Sequence, residues 1–172
     1  MKKVIYIAAL VMLMFSVSAS ISGAEGIQRI IYLEAYEPVY SVDIDNTIWD
    51  IQIDDGDIMG FSEDGMMWFF LGDVQGAGDI GLASAAIDER INETFTDVAV
   101  TNVLEDFTVN GLEAYAYEAT AKANEKDVII FATFFQVDVD DIGILIFVMD
   151  PIAAELHLEK IMKMTTSLAS YQ

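Results

Sequence analysis

Apolar and polar residues alternate with a period of two along most of this chain, and the period switches to a helical one twice. Val39 to Asp45 sets Tyr40, Val42 and Ile44 against Ser41, Asp43 and Asp45, the pattern of a half-buried strand. Ile48 to Ile53 repeats it, with Ile51 and Ile53 opposed to Asp50, Gln52 and Asp54. Asp54–Asp57 and Ser62–Gly65 read as turns around a strand at Ile58–Phe61. Met66 to Leu71 is apolar on both faces, which predicts a central strand covered on both sides. Glu25 to Glu37 fits either a strand or a short helix. From Asp79 to Phe95, Ile80, Ala83, Ile87, Ile91 and Phe95 fall on one helical stripe, with Asp79 placed as a cap. Strands follow at 98–109, 112–121, 128–139 and 144–149, the first two joined by Asn110-Gly111, a strong two-residue hairpin signal. Asp150-Pro151 then opens a last helix, with Ala154, Leu158, Ile161, Met162, Thr165, Leu168 and Ala169 as its expected buried stripe.

Strands, a helix, four hairpin-connected strands and a closing helix define an α+β protein: an antiparallel sheet with two main helices packed on it, one after the first strands and one at the C-terminal end. This order of elements from Ser41 to Ser170 resembles the PsbP-like fold, the family of the extrinsic photosystem II protein and its bacterial secreted relatives. Val109-Asn110-Gly111-Leu112, the long meander after it and a closing helix ending Thr166-Ser167-Leu168 carry the resemblance. The family's aromatic-proline motif near the first strands is missing; Trp49 stands there without a proline. The resemblance implies binding or assembly roles more than catalysis, and it transfers no site residue.

The first 24 residues change the picture. Met1-Lys2-Lys3 is a positive start, Val4 to Val17 is almost unbroken apolar sequence, and Ser16 to Ala24 is rich in Ser, Ala and Gly. That is the layout of a secretory signal peptide. Cleavage after Ala24 would release Glu25 and a single domain over 25–172; cleavage after Ala19 would release Ser20, and a retained anchor is the remaining alternative. The expected location is therefore secreted or periplasmic. The chain has no cysteine, which excludes disulfides, a lipid-modified cysteine and thiol chemistry.

Eight basic residues lose Lys2 and Lys3 on cleavage after Ala24, leaving six against 29 acidic ones and a net charge of −23. Such a charge repels nucleic acid and anionic lipid, and suits cations, basic partners or a salty environment. A hydrophobic content of 54% makes a packed core attainable despite it.

Candidate chemistry is sparse. Gly76-Ala77-Gly78-Asp79-Ile80-Gly81 reads G-x-G-x-x-G between a strand and a helix, with Glu105 and Asp106 further on. Asp73 and Asp79 put negative charge where a phosphate would sit, and hairpins follow instead of βα units, so a strand-to-helix connection is the better reading. Two groups of turn acids, Asp54, Asp55 and Asp57 beside Glu63 and Asp64, and Asp138, Asp140 and Asp141, could supply calcium with oxygens. Neither follows the twelve-residue calcium-loop pattern, and solvated turns compete with the metal reading. His157, the single histidine, borders the last helix's apolar stripe. Trp49, Trp68, Phe69 and Phe70 read as core. No serine has an evident base partner, so the expectation is a non-enzymatic binding module for an unknown protein or cationic ligand, without cofactor. A calcium-binding accessory protein is the alternative.

Overall fold

The period-two segments close into two antiparallel sheets. The computed structural model describes residues 17–23, 26–34, 37–54, 57–139 and 141–171. The strands are β1 (Val17–Gly23), β2 (Ile27–Glu34), β3 (Glu37–Asp45), β4 (Trp49–Asp54), β5 (Asp57–Ser62) and β6 (Met67–Gln75), then β7 (Thr96–Val109), β8 (Leu112–Ala123), β9 (Lys126–Gln136), β10 (Asp141–Met149) and β11 (Ala169–Ser170). Helix α1 (Ile80–Thr94) follows β6, and helix α2 (Pro151–Thr166) follows β10. A seven-stranded sheet runs β4-β5-β6-β10-β9-β8-β7, and a four-stranded one runs β1-β2-β3-β11.

The seven-stranded sheet is the middle layer. Ile142, Ile144, Ile146 and Val148 of β10 pack toward α1 through Ala83, Ile91 and Phe95. Leu145, Phe147 and Met149 face the other way, onto the small sheet and α2. Met67, Phe69 and Leu71 divide from Phe70 in the same manner on β6, so the expected doubly covered strand is there. The four-stranded sheet is a second antiparallel layer beyond the sheet read from the sequence. Its β2 resolves the strand-or-helix ambiguity of the lead-in, and its fourth strand is two residues paired as Ala169↔Ser41 and Ser170↔Tyr40, too short to leave a period. The leader readings fall partly outside the described residues, which exclude 1–16, 24 and 25; Val17–Gly23 pairs along β2 as β1. Among the described residues no helix is long and apolar enough to cross a membrane.

Local signals hold closely where a single residue decides them. Asp79 Oδ1 accepts the Leu82 amide at 2.8 Å, and Asp150 Oδ1 accepts that of Ile152 at 2.8 Å, so both helices carry the expected caps. Asn110 and Gly111 have φ of 49° and 86°, the two positive values a type I′ hairpin needs. Asn110 also donates through Nδ2 to the carbonyls of Thr166 and Leu168, at 2.7 and 2.8 Å, and so ties the hairpin to the end of α2. The stripe read for α2 is rotated. Ala153, Ala154, Ile161 and Met164 are buried, whereas Leu158 and Met162 are 48% and 52% exposed. The helix lies on β3 and β9, and the paired small residues Ala153 and Ala154 allow that close approach.

Two packing devices lock the layers. Cross-strand partners Gly60↔Phe69 and Gly143↔Phe135 place a fully buried ring over a glycine: a Cβ at Gly60 would stand 2.0 Å from the Phe69 ring, and one at Gly143 2.2 Å from that of Phe135. Tyr32 and Tyr40 of the small sheet stack at 4.7 Å, and their hydroxyls cross to the large one. Tyr40 donates to the Gly72 carbonyl at 2.8 Å, and Tyr32 donates to the Asp73 carboxylate.

Candidate functional site

An opening lies between α1 and the β7–β8 hairpin, a groove of about 690 Å³. Gly81, Ser84 and Ala85 present a low wall on α1, with Ile80 and Asp88 at its ends. Phe107, Ala114 and Tyr115 line the sheet side, and Glu105, Asp106, Thr108 and Glu113 complete the lining. The groove therefore holds four carboxylates and no lysine or arginine. Its shape comes from a bulge. Between the pairs Leu104↔Ala116 and Phe107↔Ala114, β7 has two residues, Glu105 and Asp106, where β8 has only Tyr115. Asp106 takes φ 53°, a left-handed value that aspartate tolerates better than most residues. Beside the groove, β7 is the outermost strand of its sheet and exposes Val100, Val103 and Leu104 at 56%, 40% and 55%.

Burial first, and nearby carboxylates second, act on the phenols beside the groove. The Tyr117 hydroxyl donates to Asp88 Oδ1 at 2.7 Å; burial, then this bond to a carboxylate, pushes its pKa up. Tyr115 is also raised, by burial and then by the charges of Asp88 and Glu105, against a hydrogen bond with Ser84.

The turn acids divide. Asp54 ends β4, Asp55 and Asp140 lie outside the described residues, and Asp138 is exposed. Asp57 is buried and Asp141 half-buried, and the strand order β5-β6-β10 brings both to one end of the large sheet beside Asp73. Asp73, absent from the sequence-derived candidates, is 2% exposed. One of its oxygens accepts from Tyr32, and Oδ2 is buried without a hydrogen-bond partner among the described residues. Burial raises the pKa of this carboxyl, Asp141 adds to the rise, and the Tyr32 bond opposes it. The signal for Asp73 was available: it is the lone carboxylate inside the otherwise apolar run Met67–Val74. Among the described residues no three acidic or histidine side chains are grouped to hold a metal ion.

A shallower hollow joins Ser62, Asp64 and His157 with Lys160. These residue types suggest a triad, but the hydrogen bonds are those of a turn. Ser62 Oγ donates to Asp64 Oδ1 at 2.6 Å and accepts the Met67 amide at 3.0 Å. The Ser62 bond, then the Met66 amide and His157, hold the Asp64 carboxyl below its usual range. A hydroxyl so occupied has no base to activate it. The glycine-rich run 76–81 is the β6–α1 connection, and Asp79 itself occupies the helix-start amide that a phosphate would use. Trp49, Phe69 and Phe70 are core, with Trp49 edge-on to Phe69 at 5.0 Å; Trp68 is partly buried against the α1-side core.

The architecture defines an α+β protein of the PsbP-like/Mog1 fold. Among solved structures the chain is similar to the Ran-binding protein Mog1p of Saccharomyces cerevisiae, with a TM-score of 0.56 and 9% identity over 85% of this chain and 96% of that one. It is also similar to cyanobacterial PsbP (CyanoP) from Synechocystis sp. PCC 6803, with a TM-score of 0.47 and 7% identity over 93% and 95% of the two chains. LpqN, involved in cell envelope biogenesis of Mycobacterium tuberculosis, gives a TM-score of 0.45 and 9% identity over 92% and 86%. At these identities the likeness is one of fold. No family model matches the sequence, and comparison with curated proteins gives no match.

Proposed function

We propose that the protein is an extracytoplasmic, non-catalytic interaction module that docks a protein partner in the groove between α1 and the β7–β8 hairpin. The groove carries this reading: it opens to about 690 Å³ between a helix and a hairpin, and an exposed apolar edge strand continues it. Mog1p, a Ran-binding protein on the same fold, supports a binding use of such a scaffold. The leader-like segment supports export, and cleavage after Ala24 would take β1 with it. A photoreactive residue placed at Ala85 or Thr108 in cells that naturally make the protein is expected to give a discrete protein adduct. The same residue at Met162, on the outer face of α2, should not. Adducts from Met162 alone, or from none of the three, would overturn the docking reading. Intact mass of the same material should place the start at Glu25; a full-length mass in the membrane fraction would favour the anchor.

A second reading, calcium binding, is favoured by the unpartnered Asp73 Oδ2 with Asp141 nearby, and water would have to complete the shell because no three acids converge there among the described residues. Calcium would then stabilise the fold saturably at constant ionic strength, by RT ln(1 + [L]/Kd) or about 2.7 kcal/mol at 100 times Kd, read as a rise in melting temperature, and Asp141→Asn would abolish the gain. A rise that only tracks ionic strength excludes this reading.

A further inference from the structure

We infer that the segment docked in the groove is basic: a stretch of chain whose arginine or lysine side chains enter the groove while flanking aliphatic residues lie along β7. The inference rests on the docking reading and names the partner's chemistry. Asp88, Glu105, Asp106 and Glu113 line one opening, and none of them forms an ion pair among the described residues. Four like charges around an apolar floor repel one another, and a cation entering between them removes that repulsion. A bare metal ion does not fit, because no three of these groups converge to ligate one. Arginine does, since its forked donors reach separate carboxylates and its plane stacks on a ring such as that of Tyr115. The volume, about 690 Å³, takes more than one side chain. The second half of the footprint is apolar. Val100, Val103 and Leu104 are exposed on an edge strand beside those acids, a combination that a small soluble cation cannot use and an alternating basic–aliphatic segment can.

The probe is the acetylated, amidated peptide Leu-Arg-Val-Arg-Leu, compared with its citrulline counterpart and with spermine. Amide shifts and calorimetry are read on the full protein at about 0.15 M ionic strength, where the Debye length is about 8 Å and the general field is screened. The arginine peptide should shift amides of 84–88, 105–108 and 115, and the citrulline peptide should not. E105Q/D106N/E113Q should weaken the peptide at least about tenfold, while E89Q/E93Q/E125Q, which removes the same charge elsewhere on the surface, should not. V103S/L104S should weaken the peptide and leave spermine unchanged. Equal weakening by both charge variants, or shifts scattered over the surface, would mean that only the overall charge is felt, and would overturn the inference. Equal binding of spermine and peptide would overturn it too. If Ala85 yields a discrete adduct but the peptide does not bind, the basic chemistry fails and the docking reading stands; if neither occurs, both fail.

Discussion

Gly143→Ala is expected to destabilise the protein by about 3 kcal/mol, the upper end of what overpacking a core commonly costs. The added methyl would sit 2.2 Å from the Phe135 ring, and that ring is fully buried, edge-on to Tyr40 at 5.0 Å. Neither strand can retreat, since β10 pairs with β6 and β9 along its whole length. For a domain of this size the shift in melting midpoint is about 6–12 °C. Phe135→Leu in the same chain should recover part of the loss, so a double-mutant cycle would report a coupling above about 1 kcal/mol. Additive effects, or a midpoint within about 2 °C of the parent, would show that the ring does not lie over the glycine.

Asp73 gives the second large effect, and its sign is fixed by burial. Its folded pKa is raised above the ordinary carboxylate value, so the folded protein holds the proton more tightly than the unfolded chain. The stabilisation this gives is complete below the unfolded value and is lost as pH rises through the raised one. Asp73→Asn should therefore gain on the parent progressively from about pH 4 toward neutrality, with Tyr32, Tyr40, Asp57 and Asp141 the titratable groups facing the site. Tyr32→Phe should act oppositely, costing about 1.5–3 kcal/mol at pH 7, where it strips a hydrogen bond from a buried carboxylate. Urea unfolding at several pH values measures both. An Asp73→Asn variant that loses stability on going from pH 4 to 7 in parallel with the parent would exclude the buried-carboxyl account.

Much of this architecture is legible in the chain because one residue or one period decides it. Asp79 and Asp150 cap their helices, Asn110-Gly111 turns a hairpin, and the doubly apolar Met67–Leu71 lies between two covered faces. What was not legible depends on partners far along the sequence. The small sheet closes through Ala169 and Ser170, which are too few to carry a pattern. The rotation of α2 is set by its contact with β3 and β9, and its own stripe misplaces Leu158 and Met162. The groove was hidden for a different reason. Glu105 and Asp106 read as strand positions, or as acids spaced from a glycine motif, and only the bulge opposite Tyr115 joins them with Asp88 and Glu113.

The fastening of β11 has a consequence for how the chain comes to be folded. Ser41 and Tyr40 wait for Ala169 and Ser170, and the Asp43 amide waits for the hydroxyl of Ser167, 124 residues away. The middle of the large sheet waits likewise, because β6 lies against β10. A nascent chain that has displayed everything up to residue 140 still lacks the central partner of β6 and the last strand of the small sheet. Closure of both sheets thus depends on the strands that come last, β10 and β11, and the pairings that join the layers are among those with the greatest loop-closure cost.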